Sequence, residues 1–93
     1  MHLPPPAYRV PFRFERGGGL HTYRLRNVGA ETVHGVTLVA HGPSLLRVSA
    51  PAELSPGQGI EVQLAARDRA RSTVVVVRWL RHDGLEYVWL VSV

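Results

Sequence analysis

Seven short segments in which apolar and polar residues alternate run through this chain, separated by Gly, Pro and Asn. That period of two constrains the fold more than any other feature. Successive strand residues point to opposite sides of a sheet, so alternation marks a strand with one buried face, whereas a helix needs apolar residues every three or four positions. The segments are Ala7 to Phe14, Leu20 to Asn27, Thr32 to His41, Ser44 to Ser49, Ile60 to Leu64, Ser72 to His82 and Leu85 to Val93. In the first, Tyr8, Val10, Phe12 and Phe14 alternate with Arg9, Pro11 and Arg13. Pro11 lacks an N–H and assigns that strand to a sheet edge. In the second, His21, Tyr23 and Leu25 share the inward face. Gly17 to Gly19 breaks the chain, Asn27-Val28-Gly29-Ala30 is a turn with Gly29 suited to positive φ, and His82-Asp83-Gly84 closes a hairpin. Ala50 to Gly59, with Pro51, Pro56, Gly57 and Gly59, is a long corner that carries the chain between sheets. Short strands punctuated in this way predict a small all-β antiparallel sandwich.

A chain of 93 residues, 45% of them hydrophobic, suffices for one core. It divides into a flexible Pro-rich lead, residues 1–6, and a single domain, residues 7–93. With no cysteine, the chain has no disulfide framework, zinc-thiolate site or thiol nucleophile. The longest nearly continuous apolar run, Val74 to Val77, is far too short to span a bilayer. The first residues lack the charged-then-apolar order of a signal peptide, which places the protein in the cytoplasm if the chain is complete. The net charge is +4, and all 11 basic residues are arginine. The absence of lysine points to the codon bias of a GC-rich genome and weakens a reading of the arginines as nucleic-acid contacts.

Two stretches have a family cadence. One is Tyr23-Arg24-Leu25-Arg26-Asn27-Val28-Gly29 followed by Val33, Val36 and Leu38; the other is Pro51-Ala52-Glu53-Leu54-Ser55-Pro56-Gly57 followed by Ile60-Glu61-Val62. Together they resemble bacterial immunoglobulin-like domains with an N-x-G turn after strand B and an L-x-P-G corner before strand E, as in the CARDB, NEW3 and major-sperm-protein-like groups. The resemblance covers residues 20–93. It implies an immunoglobulin-like antiparallel sandwich of about seven strands and a noncatalytic adhesion, spacer or partner-binding role, and it carries no site residues.

The chemistry-bearing residues do not add up to a reactive site. A metal centre needs three or four convergent ligands, some at short spacing, and His2, His21, His34, His41 and His82 are scattered, with His34 and His41 expected on opposite faces. No serine, histidine and acid set follows from spacing, and the Asp83-Gly84 pair has a conformational reason to exist. Gly17 to Gly19 is followed by no Lys-Ser/Thr and no helix, so it is no phosphate loop. The expectation is no enzyme and no cofactor. Pro5-Pro6-Ala7-Tyr8 matches a P-P-x-Y pattern, but Tyr8 begins a strand. Arg24 and Arg26 on one strand face, with Arg67, Arg69 and Arg71 in one loop, form the alternative site, a basic surface for nucleic acid or another polyanion. The chain lacks the exposed aromatics that a nucleic-acid reader uses for stacking.

The sixth and seventh segments are apolar on both faces. If Val75, Val77 and Trp79, with Tyr87, Trp89 and Val91, face the core, then Val74, Val76, Leu80, Val88 and Leu90 face outward. Val39 joins them from the third segment, because strands C, F and G are neighbours in an immunoglobulin-type sheet. An outward stripe across three adjacent strands calls for cover by protein. The expected site is therefore the outer face of the C-F-G sheet, with Val76 and Val88 near its centre and Arg78 on its rim. The expected partner is another protein or a second copy in a homodimer.

Overall fold

The computed structural model describes residues 8–19, 21–41, 44–47, 51–66 and 74–92. The described residues form eight strands: β1 (Phe12–Arg16), β2 (Thr22–Asn27), β3 (Val33–His41), β4 (Ser44–Arg47), β5 (Ala52–Leu54), β6 (Gly59–Ala66), β7 (Val74–Leu80) and β8 (Glu86–Ser92). They form two antiparallel sheets, in the orders β1-β2-β6-β4 and β5-β3-β7-β8. With β1, β2, β3, β4, β6, β7 and β8 lettered A to G, these are the A-B-E-D and C-F-G sheets of an immunoglobulin-like sandwich, extended by the three-residue β5. The all-β sandwich expected from alternation is the fold observed. The Pro-rich lead and the 67–73 loop lie outside the described residues.

Alternation explains the core. Leu25, Val62 and Leu64 from one sheet meet Val33, Val36, Leu38, Val75, Val77 and Trp79 from the other, all buried. The Trp79 and Phe12 rings meet nearly perpendicular at 4.9 Å between centroids, in the T-shaped geometry that aromatic quadrupoles favour. β1 is an edge strand, as Pro11 required, although it starts only at Phe12. Pro11 itself is buried, and its carbonyl accepts the Val28 N–H at 2.7 Å.

Three local readings need correction. His21 has a φ of 62° and is exposed, so it does not share the inward face with Tyr23. Gly29 is not at positive φ; it is glycine because a Cβ there would sit 2.9 Å from the Cβ of Pro11. The 50–59 corner contains β5, which pairs with the start of β3 through Val33↔Leu54 and Val36↔Ala52.

That pairing spans a one-residue bulge in β3, with Gly35 at a φ of 56°. A bulge shifts the side-chain parity of the strand, so Val33 and Val36 both point inward although three positions apart. The same shift puts His34 and His41 on one face, opposite Leu80 and Val74 respectively, where plain alternation set them on opposite faces.

The N-x-G turn and the L-x-P-G corner meet in space around Asn27. Its side chain is fully buried. Nδ2 donates to the Leu54 carbonyl at 3.0 Å and to the Glu31 carbonyl at 2.9 Å, while Oδ1 accepts the Gly29 N–H at 2.9 Å. Its main chain is bonded to the corner as well, through Gln58 O and Gly57 N, both at 2.8 Å. Gly57, at a φ of 87°, follows Pro56 in the arrangement of a type II turn. Asn27→Ala removes all three side-chain bonds and takes partners from one buried and two half-buried main-chain groups, so unfolding free energy should fall by about 3 kcal/mol in urea titrations. A loss below about 1 kcal/mol would show that the turn and the corner hold together without it.

Candidate interaction face

The C-F-G sheet places every expected interface residue on its outer side. The register lines up Val39, Val76 and Leu90 as one row across β3, β7 and β8, with Thr37, Arg78 and Val88 as the next. His41, Val74 and Ser92 flank them at one end, and Leu80 and Glu86 at the other. Val39, Leu80, Val88 and Leu90 are 48%, 38%, 50% and 64% exposed, and Val74 and Val76 are half-buried. On the inner side Val75, Val77 and Trp79 are buried, which fixes the register.

Arg78 is not on the rim. β7 is an inner strand, so Arg78 stands mid-sheet between Thr37 and Val88, with its guanidinium 3.6 Å from the Glu86 carboxylate. It divides the apolar surface into a larger patch around Val76 and a smaller one at Leu80. A notch of about 250 Å³ lies beside it, lined by Gly35, Thr37, Leu80 and Glu86.

The opposite sheet differs in kind. Its outer side sets Glu15, Arg24 and Glu61 in one row and Arg13, Arg26 and Gly59 in the next. Arg26 is ion-paired to Glu15 at 3.2 Å, and Arg24 lies across Gly59, where its Nε comes within 2.6 Å of the point a Cβ would occupy. The two arginines of the polyanion alternative are thus interleaved with carboxylates, and Arg67, Arg69 and Arg71 lie outside the described residues.

Spacing alone could not reveal the cluster at the end of the sandwich. Glu31 receives Arg81 through Nε at 2.7 Å and a second guanidinium nitrogen at 3.3 Å, and His82 lies 3.5 Å away. The Arg81 guanidinium stacks over Tyr8 at 3.9 Å, Tyr8 packs on Tyr87 at 4.9 Å, and Trp79 Nε1 donates to the Tyr8 hydroxyl at 3.3 Å. Glu31 and Arg81 are 50 positions apart. The bond from Arg81 holds the Glu31 carboxyl below its usual range, its bond to Glu31 raises the Arg81 guanidinium further, and burial pushes the Tyr8 phenol up. Beside this cluster an open cleft of about 660 Å³ is lined by residues 8–11 and by residues 28–31 of the β2–β3 turn. Glu31 is the carboxylate in its wall, already held by Arg81.

Among the described residues no three His, Asp or Glu side chains converge as metal ligands. His34 and His41 share a face but lie about 20 Å apart along the strand direction, given the rise per residue between their partners Leu80 and Val74. Among the described residues no helix is long and apolar enough to cross a membrane. Compared with known proteins, the chain matches no family model, no curated protein and no solved structure.

The Glu31 pair has a pH signature. A carboxyl whose folded pKa is depressed adds stability above its ordinary value near 4.5, and that stability is lost as pH falls through the lower folded value. Urea unfolding of the wild type should therefore weaken on acidification below about pH 4.5, and Glu31→Gln should flatten the slope in that window. Equal slopes would show that Glu31 is not linked to folding.

Proposed function

We propose that this domain is a noncatalytic, self-associating protein-binding module that works by burying the outer face of its C-F-G sheet. The observation that carries the reading is the exposure of Val39, Val88 and Leu90 beside half-buried Val74 and Val76, contiguous across three strands. Covering a few such side chains is worth several kcal/mol at about 25 cal/mol per Å², before association costs. Arg78 and Glu86 sit within the patch as a matched pair and would fix orientation more than strength. The notch at Leu80 gives a protruding side chain a seat. The meeting of the N-x-G turn and the L-x-P-G corner at Asn27 supports the resemblance to immunoglobulin-like binding modules, whose members are mostly noncatalytic. The polyanion reading has no comparable support, because Arg24 and Arg26 are interleaved with Glu15 and Glu61.

Light scattering over a concentration series tests the proposal. Wild-type protein should associate equally at low and high salt, since apolar burial is not screened. Val76→Arg should weaken association at least tenfold, with a melting midpoint within a few degrees of wild type. Equal masses for the two proteins would overturn the proposal. A steep loss of association with salt would favour the electrostatic alternative.

A further inference from the structure

The main chain of β8 carries a second interaction surface, distinct from the outer face. In the hairpin the Arg81 N–H donates to the Leu85 carbonyl at 3.2 Å, and Gly84 N–H donates to the Arg81 carbonyl at 2.9 Å. With Gly84 at a φ of 80°, this is a three-residue loop closed by the Arg81–Leu85 bonded pair. From there the register runs without a bulge, Leu80↔Glu86 to Val74↔Ser92. Bonded and non-bonded pairs alternate along an antiparallel ladder, so Tyr87, Trp89 and Val91 spend their main-chain groups on β7. Glu86, Val88, Leu90 and Ser92 therefore turn their N–H and C=O groups to the far side. Among the described residues no strand pairs with β8 there.

The sheet edges are not equivalent. Soluble proteins protect edges by keeping them short, by charging them, or by placing Pro on them. Edge strand β5 has three residues, β4 has four, and β1 follows Pro11 and carries Arg13, Glu15 and Arg16. β8 has seven residues, a single charge at its first position, and no Pro, Gly or bulge.

We infer that β8 pairs edge to edge with β8 of a second copy, antiparallel, about a two-fold axis at Trp89. That centre is the register in which all four outward-turned residues are used: Val88 of each copy faces Leu90 of the other, and Glu86 faces Ser92. The ladder can hold up to about eight main-chain hydrogen bonds. Self-pairing opposes no charge to its like, because the only charged residue of the strand meets a serine. The half-buried Trp89 side chains meet across the axis at a non-bonded position, where opposed side chains approach most closely. The two C-F-G sheets become one, and their outer apolar patches join side by side through Val88 and Leu90. A second copy satisfies every one of these conditions at once.

The test is run in Val76→Arg protein, where face association is disabled, so the edge and the face can fail independently. With face and edge both available the wild type should assemble beyond a dimer; Val76→Arg should fall back to a dimer by light scattering, and adding Leu90→Pro should give a folded monomer. Leu90 makes no bond to β7 through its N–H, so proline there removes an outward donor while sparing the fold. In the dimer the Val88 and Leu90 amides should exchange with solvent at least tenfold more slowly than in dilute protein. Tyr87 and Trp89 amides should be protected at both concentrations. A monomeric Val76→Arg protein, or a dimer whose Val88 and Leu90 amides exchange freely, overturns the inference. If Leu90→Pro does not fold, the concentration dependence of those two amides decides alone.

Discussion

Asn27 ties the β2–β3 turn to β5 and to the 55–58 turn. Its side chain spends both donors and an acceptor on main-chain groups of the β2–β3 turn and of β5, and its own backbone is bonded to the 55–58 turn. One end of the sandwich is thereby closed, because β2 lies in one sheet while β5 is hydrogen-bonded to β3 in the other. An apolar residue of similar size would fill the space but take the side-chain partner from the buried Leu54 carbonyl and from the half-buried Glu31 carbonyl and Gly29 N–H. Gly29, next along the turn, has to be small because Pro11 runs against it. The same turn reaches the start of β1 through the bond from the Val28 N–H to the Pro11 carbonyl.

Downstream of that turn, the bulge at Gly35 decides what the C-F-G sheet shows to solvent. Val33 and Val36 both have to reach the core, one opposite Leu54 and the other opposite Ala52, and an unbroken strand cannot turn both inward. The extra residue restores the parity, after which Leu38 points in and Val39 out. Without it Val39 would enter the core and Leu38 would take its place outside, so the row Val39, Val76 and Leu90 exists because of the bulge.

Alternation made most of this legible before any coordinates. The inward residues of β7 and β8 followed from Trp79 and Trp89, and the outward stripe followed from them, because a period of two leaves only one other face. Features that depend on contacts between distant segments were not legible. The Arg81–Glu31–Tyr8 cluster joins residues far apart in sequence and has no local signature. The bulge left a signal in the spacing of Val33 and Val36, but a glycine inside a strand has several causes. Arg78, expected on the rim, stands mid-sheet because β7 lies between β3 and β8.

The two outer faces bear on whether the stripe is a folding requirement. On β6, Glu61 and Gln63 point outward while Val62 and Leu64 fill the core, so this sandwich supports an inner-sheet strand with charged and amide side chains outside its core residues. β7 occupies the corresponding inner position in the other sheet, with Val75 and Val77 as its inward residues. Its core contribution would be the same with polar residues at 74 and 76. The propensity of valine for strands is too small, and too dependent on packing, to account for outward Val74, Val76, Val88 and Leu90 on two adjacent strands, with Val39 beside them on β3. The proposed burial of the outer face accounts for what distinguishes β7 and β8 from β2 and β6. The edge of β8, with its outward main-chain groups, borders the same patch.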